Sequence, residues 1–201
     1  MEPRESGELS STKSQKRNSF LCTELLREQP SSNCVWLAFS PLKKTPMEFL
    51  VEKSTELGVA RFIPLYIHYS DHKSYRGEKS QAHAIEAAQQ SEQLHVPLFM
   101  PPLSLGQFLQ DHPQDHPIYA CLERTDQAPT LLDVLDVTKP KTILIGPEGG
   151  FSPAECLLLK KHPSIKVVTL GPSILRAETA AIVSLGCVLQ KRESDVVETN
   201  P

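Results

Sequence analysis

The chain has 201 residues, of which 39% are hydrophobic and 22% are charged, and its formal net charge is −3. These values are typical of a globular domain and argue against a strongly basic nucleic-acid-binding protein. No run reaches the ~18 apolar residues of a membrane span, and the chain starts with neither a signal peptide nor a transit peptide, so we expect a cytoplasmic protein.

The first 34 residues are expected to lie outside the folded domain. Residues 1–18 are rich in Ser, Lys, Glu and Arg, and they carry too little apolar surface to offset the entropy lost on ordering. A disordered segment is therefore predicted there. Residues 19–29 fit either a short helix or the remnant of a strand, and both interpretations stay open.

Strands and helices alternate from Val35 onward. Val35–Phe39 is a predicted strand, and Thr45 is expected to cap a helix that has Pro46 in its first turn and ends at Gly58. The pattern then predicts a strand over 61–67, a helix over 81–94, a strand over 97–100 and a helix over 104–110.

Two histidines lie four residues apart in the run D-H-P-Q-D-H, from Asp111 to His116. A metal site would need both on one face of a helix. Pro113 and Pro117 disfavour a helix at this point. We therefore predict a loop here, and we expect no metal site in the protein.

The second half of the chain repeats the alternation of strands and helices. Predicted strands cover 118–122, 142–145 and 167–170, and predicted helices cover 130–137, a segment starting at Ser152 and Pro153, and 177–190. This order predicts an α/β fold with a mainly parallel sheet and helices on both faces. The polar residues 191–201 are expected to form a flexible tail.

Two glycine-bearing loops follow the strands that end at Ile145 and Leu170. The carboxyl ends of parallel strands form the ligand-binding edge of an open α/β sheet. Gly146, Gly149 and Gly150 allow positive φ angles and a close approach of a ligand to the backbone. The two loops together predict a small-molecule pocket at this edge of the sheet.

The loop sequences exclude some common nucleotide motifs. G-P-E-G-G has neither the Gly-Lys-Ser/Thr ending of a P-loop nor the G-x-G-x-x-G spacing of a dinucleotide fingerprint. Arg176 and Glu178, in the second loop region, are candidates for chemistry, although a structural ion pair between them is an open alternative. The five cysteines form no C-x-x-C pair, and we expect them to be reduced and mostly structural.

The two motifs I-G-P-E-G-G-F-S and L-G-P-S-I-L-R-A-E-T-A resemble those of the ribosomal RNA methyltransferases that act on N3 of a uridine in small-subunit RNA. These enzymes belong to the SPOUT superfamily. F-L-V-E-K-S-T-E-L-G-V (Phe49–Val59) and E-A-A-Q-Q-S (Glu86–Ser91) extend the resemblance, which covers residues 35–190. The predicted methyltransferase domain has the same bounds.

The resemblance implies a SPOUT-type fold with a C-terminal trefoil knot, a homodimer, and S-adenosylmethionine as the methyl donor. Carried over by motif, it places nine residues around that donor: Leu122, Ile145, Gly146, Glu148, Gly149, Leu170, Gly171, Ile174 and Leu175. Small-subunit ribosomal RNA, free or in the assembled subunit, is the implied partner. Candidate RNA contacts are Lys43, Lys44 and Lys53.

The proposed chemistry gives roles to two further residues. N3 of uracil carries a proton and must lose it as the methyl group approaches. Arg176 is expected to stabilise negative charge on a carbonyl oxygen of the base. Glu178 either accepts the proton or orients Arg176, and the sequence does not separate these roles.

The chain departs from the family in two respects. The 34 residues before the first matched strand are too few for the barrel-like RNA-binding domain that usually begins these enzymes. Arginines usual in the family are replaced by Tyr69, Gln93 and Ser173. Each lost cation weakens the neutralisation of RNA phosphates. These departures favour one alternative to methylation, a non-catalytic RNA-binding or ribosome-assembly factor. The Gly-Gly loop offers a second, a nucleotide-binding enzyme that holds phosphate there.

Overall fold

The structure is a computed structural model that describes residues 35–70, 75, 77–123 and 128–198, with side chains as far as Arg192 in the last range. The predictions for residues 1–34 lie outside the described residues. Seven strands are present in the described part: β1 Val35–Phe39, β2 Arg61–Tyr66, β3 Leu98–Phe99, β4 Leu103–Ser104, β5 Ile118–Cys121, β6 Lys141–Ile145 and β7 Ile165–Val168. Its helices are α1 Lys44–Glu56, α2 Gly77–Gln90, α3 Leu105–Asp111, α4 Leu131–Val134, α5 Pro153–Lys161 and α6 Ala177–Glu198.

All the strand pairs of the sheet are parallel, which confirms the predicted parallel architecture. The strand order is β3-β2-β1-β6-β5-β7, and β4 pairs with β2. Cys121, at the end of β5, is level with Ile145 of β6 and Val168 of β7. The loops that follow these three strands therefore leave the sheet side by side.

Helices cover both faces of the sheet, as predicted. On one face, Leu50 and Val51 of α1 pack with Ala181 and Leu185 of α6 in one buried apolar cluster. On the other face, the second cluster contains residues from α3 and α5, including Phe108 and Leu159. Both clusters contain strand residues with almost no exposed surface, so the sheet is buried between two helical layers.

The predicted start of α1 was wrong. The helix begins at Lys44, its N-cap residue is Lys43, and no side chain caps it. Thr45 and Pro46 therefore both lie inside the first turn. A proline is tolerated there because the first amides of a helix have no hydrogen-bond partner within it. The predicted stop was confirmed: Gly58 has a φ of 77° and its N–H donates to the Thr55 carbonyl oxygen.

Three other helices differ from the prediction by more than one residue at one or both ends. α2 begins at Gly77 and ends at Gln90, four residues earlier at both ends than expected. α4 ends at Val134, because Asp136 Oδ1 accepts hydrogen bonds from Thr138 N and Oγ1 and forms a turn. α6 continues to Glu198, so the flexible tail predicted from residue 191 was wrong as far as 198. Residues 199–201 lie outside the described residues.

Asp111 ends α3, and the rest of the D-H-P-Q-D-H segment is a loop, as predicted. Its two histidines are buried at the amino-terminal end of the sheet. His112 Nε2 lies 2.8 Å from the His116 carbonyl oxygen, and His116 Nε2 lies 3.1 Å from Thr142 Oγ1. Within the described ranges, no three His, Cys, Asp or Glu side chains are grouped so that they could hold a metal ion. No helix there is long and apolar enough to cross a membrane.

Candidate functional site

A cavity of about 860 Å³ opens at the carboxyl ends of β5, β6 and β7. The loops after β6 and β7 form its walls, and the end of β5 forms its floor. All nine residues predicted to bind the methyl donor line it: Leu122, Ile145, Gly146, Glu148, Gly149, Leu170, Gly171, Ile174 and Leu175. The structure therefore brings together two motifs that lie about 20 residues apart in the sequence.

The first wall is the tight loop that follows β6. Gly150 has a φ of 71°, and its N–H donates to the Pro147 carbonyl oxygen at 2.8 Å. A Cβ atom at Gly146 would lie 2.7 Å from the Phe151 ring. Glycine is therefore required at 150 by backbone conformation and at 146 by the close packing of an aromatic ring.

A capping box fixes the loop to the start of α5. Ser152 Oγ accepts from Glu155 N at 3.3 Å, and Glu155 Oε2 accepts from Ser152 N at 2.8 Å. The other carboxylate oxygen of Glu155 accepts from His68 N at 2.9 Å. Glu155 therefore joins the cavity loop to the loop that follows β2.

The second wall is the segment that follows β7. Its backbone is held by the chain after β5, because Thr169 N donates to the Pro129 carbonyl oxygen and Leu131 N donates to that of Thr169. Gly171 has a φ of 120°, a conformation that favours glycine. Ile174 is 63% exposed and forms part of an apolar wall with Leu170 and Leu175.

Arg176 and Glu178 do not line the cavity itself. Arg176 is exposed just before α6, and Glu178 lies in the first turn of that helix with 8% of its surface exposed. They form no ion pair in the described part of the chain, so the structural-pair alternative was wrong. Glu178 Oε2 is buried without a hydrogen-bond partner among the described residues. Such an atom is unusual and indicates a site where a partner is expected.

Sequence reasoning missed several lining residues, among them Cys121, Glu123, Phe151 and Cys156. Cys121 Sγ lies 3.4 Å from Ser184 Oγ, and burial raises the pKa of this thiol to about 12. The thiol is therefore protonated at neutral pH and is a poor nucleophile. Cys121 ends β5, and β5 lies beside β6, which carries the first cavity loop. The position of Cys121 at the end of a predicted strand was therefore the signal that could have identified it.

The electrostatic character of the cavity is acidic at its rim. Glu123 and Glu148 are exposed, and no Lys or Arg is among the described residues that line the cavity. A phosphate group prefers a cation near a helix start or glycine loop. The lining therefore disfavours the nucleotide-binding alternative and suits a cationic ligand.

The predicted RNA contacts are spread over α1. Lys43 and Lys44 are exposed at the start of the helix. Lys53 Nζ lies 2.7 Å from Glu52 and 2.9 Å from Glu56, and these hydrogen bonds raise the pKa of Lys53 to about 12. Two carboxylates already compensate the charge of Lys53, which leaves Lys43 and Lys44 as the better candidates for phosphate contacts.

Comparison with known proteins agrees with this geometry. A model of the RNA methyltransferase domain family matches residues 29–189. The chain is 30% identical over 166 residues to the ribosomal RNA small subunit methyltransferase E of Rickettsia conorii, with 82% of this chain and 68% of that protein covered.

Two solved structures share the fold. The ribosomal RNA small subunit methyltransferase E of Neisseria gonorrhoeae, bound to S-adenosylmethionine, is 26% identical with a TM-score of 0.71, covering 78% of this chain and 65% of that one. A Legionella pneumophila protein in complex with the cofactor S-adenosylmethionine is 32% identical with a TM-score of 0.68, covering 79% and 66%. The chain spans about two thirds of the length of each relative. It belongs to the RNA methyltransferase domain family.

Proposed function

We propose that the cavity binds S-adenosylmethionine and that the protein transfers its methyl group to small-subunit ribosomal RNA. The observation that carries this proposal is the assembly of the two glycine-bearing loops, with all nine predicted donor-binding residues, around one cavity. The S-adenosylmethionine bound to two of the solved relatives supports the choice of donor.

The cavity fits this donor in size and character. Its volume of about 860 Å³ lies within the range of roughly 300–1,000 Å³ of small-molecule sites. Leu170, Ile174 and Leu175 offer an apolar wall to a flat aromatic base, and Glu123 and Glu148 place negative charge at the rim. When bound, the sulfonium group supplies an electrophilic methyl group.

The finer proposal is that the accepting atom is N3 of a uridine. This atom becomes nucleophilic only when its proton is removed, so the site needs a proton acceptor and a group that stabilises the resulting anion. Glu178, buried with an unpaired oxygen, is proposed as the acceptor. Arg176, exposed beside the cavity loop and free of an ion pair with Glu178, is proposed to bind the base carbonyl oxygen.

We also propose the knot and the homodimer that the resemblance implies. Support for the knot is that the segment after β7 pairs with the segment after β5, through Thr169 and Thr130, before α6 packs on the opposite face from α5. Support for the dimer is that α6 leaves the apolar side chains of Val183 and Leu189 exposed. With ribosomal RNA as its substrate, the cytoplasm is the proposed location of the protein.

The alternative is a non-catalytic RNA-binding or assembly factor with the same fold. It is favoured by the three positions where arginine is absent: Tyr69, Gln93 and Ser173. Gln93 Nε2 instead donates to the Glu56 carbonyl oxygen, and this contact serves the fold rather than RNA.

Methyl transfer separates these functions. The purified protein is incubated with labelled S-adenosylmethionine and undermethylated small ribosomal subunits, and modified bases are mapped by mass spectrometry. The proposal expects a methyl group on N3 of one uridine. A methyl group on another atom would refute the finer proposal alone, whereas donor binding without transfer would support the non-catalytic alternative.

A further inference from the structure

We propose that Tyr69 is a stacking surface for an RNA base at the edge of the cavity. The inference rests on the proposed function only in taking RNA as the ligand. Nothing in the cavity lining itself assigns a role to this side chain, because Tyr69 does not line the cavity. Its position, its exposure and its anchoring carry the argument.

Tyr69 lies against the glycine loop of the cavity. A Cβ atom built on Gly149 would be 3.0 Å from Tyr69 Cβ and 3.4 Å from Tyr69 Cγ, so the tyrosine side chain packs against a residue that lines the cavity. The side chain of Tyr69 is nevertheless 53% exposed. An aromatic residue is therefore held against the cavity wall while much of its surface stays in contact with solvent.

The segment that carries the ring is well anchored. His68 N donates to Glu155 Oε1 at 2.9 Å, which connects it to the capping box of α5. Ser70 N and Ser70 Oγ both donate to the Ile67 carbonyl oxygen, at 2.9 and 2.6 Å, and close a tight turn around Tyr69. The His68 and Tyr69 rings meet edge to face, with centroids 4.6 Å apart. The ring is pre-positioned, so little conformational entropy is lost when a ligand stacks on it.

The chemistry of an unpaired RNA base fits this surface. Proteins recognise unpaired bases by stacking them on aromatic side chains, and this contact needs neither a cation nor a specific sequence. An enzyme that modifies a base must hold it and its neighbours out of the helical stack. Tyr69 is suited to hold a base that flanks the base entering the cavity. Stacking on Tyr69 would then supply binding energy that the absent arginines do not supply through phosphate contacts.

The test measures binding of a fluorescein-labelled single-stranded oligouridine by anisotropy at several salt concentrations. Tyr69→Ala should weaken binding about tenfold, within the range reported for loss of one stacked base. Tyr69→Phe keeps the ring and should bind within about twofold of the wild type. Leu98→Ala is the matched control, because Leu98 is a 56% exposed apolar residue on β3 that does not line the cavity.

Salt dependence identifies the kind of contact. Stacking releases no counterions, so Tyr69→Ala should lower affinity equally at every salt concentration and leave the slope of log affinity against log salt unchanged. Lys44→Ala, in contrast, should make that slope shallower. Affinity for S-adenosylmethionine, measured by calorimetry, should be the same in Tyr69→Ala as in the wild type.

Several outcomes would overturn the proposal: no binding of oligouridine by the wild type, unchanged binding by Tyr69→Ala, or an equal loss in Tyr69→Phe. A loss of donor affinity in Tyr69→Ala would assign the ring to the cavity instead. The readout does not depend on methylation. A wild type that binds RNA through Tyr69 but transfers no methyl group would refute the proposed enzyme function and leave this inference standing.

Discussion

Glu178 is a buried carboxylate at the start of a long helix, next to the loop that forms one wall of the cavity. A carboxylate is favoured at that end of a helix by the helix dipole, but burial of an unpaired oxygen is costly. The two effects oppose each other. Glu178 is therefore buried at a cost in stability, which is typical of residues that serve chemistry.

Glu178→Gln should lower the turnover of methyl transfer by about 10²- to 10⁴-fold, because the amide cannot accept a proton. The amide has nearly the same shape, so the fold and the affinity for S-adenosylmethionine should be kept. Arg176→Ala should also lower turnover with donor affinity unchanged. Turnover by Glu178→Gln equal to that of the wild type would remove Glu178 from the mechanism.

Gly149→Ala should destabilise the protein by about 1 kcal/mol, since the added Cβ would lie 3.0 Å from Tyr69 Cβ and the two loops would have to separate slightly. Urea denaturation measures the change. Gly106→Ala in α3 is the control, because a Cβ there meets nothing within 4 Å and alanine favours a helix. A Gly149→Ala protein as stable as Gly106→Ala would show that the contact is not tight.

In the described part of the chain, capping boxes set the starts of three helices: α3 at Ser104, α4 at Thr130 and α5 at Ser152. Only the box of α5 lies beside the cavity loop and also holds the loop after β2, through Glu155 and His68. The same local device therefore supports stability at α3 and both stability and site geometry at α5.

Replacing either Ser104 or Ser152 by alanine should cost about 1 kcal/mol of stability, the usual effect of losing a cap. Only Ser152→Ala should also weaken S-adenosylmethionine binding several-fold, because it loosens the loop that includes Gly149. Denaturation and calorimetry on both variants make the comparison. Equal donor affinity in the two would mean that the cap does not support the cavity.

Local patterns predicted most of the elements that bury apolar runs. The strand predicted over 167–170 was misplaced by two residues, because β7 is Ile165–Val168 and residues 169–170 already belong to the cavity wall. Val35–Phe39 matches β1, and Ser152 with Pro153 marks the start of α5. The end of α6 was missed because the prediction followed apolarity, whereas Lys, Arg and Glu also favour helices, and Lys191 Nζ donates to the Leu132 carbonyl oxygen. A contact 59 residues away in sequence is not visible in a local pattern.

The residues of the candidate site also fall into a predicted group and a missed group. Its two walls were predicted because each is a continuous motif, and all nine residues line one cavity. Phe151 and Cys156 were missed, because their proximity to the cavity depends on how α5 packs in three dimensions. Tyr69 was named only as a position where the family has arginine, and its contact with the glycine loop was not predicted. Sequence spacing carries no signal for such packing.

The two ends of the sheet carry different features. The cavity lies at the carboxyl ends of the strands, and the two buried histidines lie at the amino ends. His112 and His116 pack with Trp36, and Arg61 lies 4.2 Å above the Trp36 ring. Desolvation lowers the pKa of His112 to about 4, although the hydrogen bond to the His116 carbonyl oxygen favours the charged form. The charges of His116 and His162 lower this pKa further. The cluster should therefore stabilise the fold only while the histidines are neutral.

This cluster predicts the response of global stability to acid. The pKa of His112 falls from about 6.5 in the unfolded chain to about 4 in the folded one, so the unfolded chain binds more protons between these values. The free energy of unfolding should have its full value above pH 6.5 and should drop by about 3 kcal/mol as the pH approaches 4. Urea denaturation across this range measures it.

His112→Gln should flatten that pH profile, while His83→Gln, at an accessible position on α2, should leave it unchanged. His116, whose pKa is also lowered by burial, accounts for the part of the slope that should remain in His112→Gln. A wild type whose stability is the same at pH 4.5 and pH 7 would contradict this account of the cluster.

The central claim is that the cavity between the two loops binds the methyl donor, and calorimetric titration with S-adenosylmethionine tests it most directly. Ile174→Asp changes an exposed residue of the cavity wall, and Leu98→Asp makes the same change at an exposed residue outside the cavity. We predict that the wild type and Leu98→Asp bind alike, and that Ile174→Asp binds at least about tenfold more weakly, because an apolar contact is lost. No binding by the wild type, or equal binding by all three proteins, would contradict the claim.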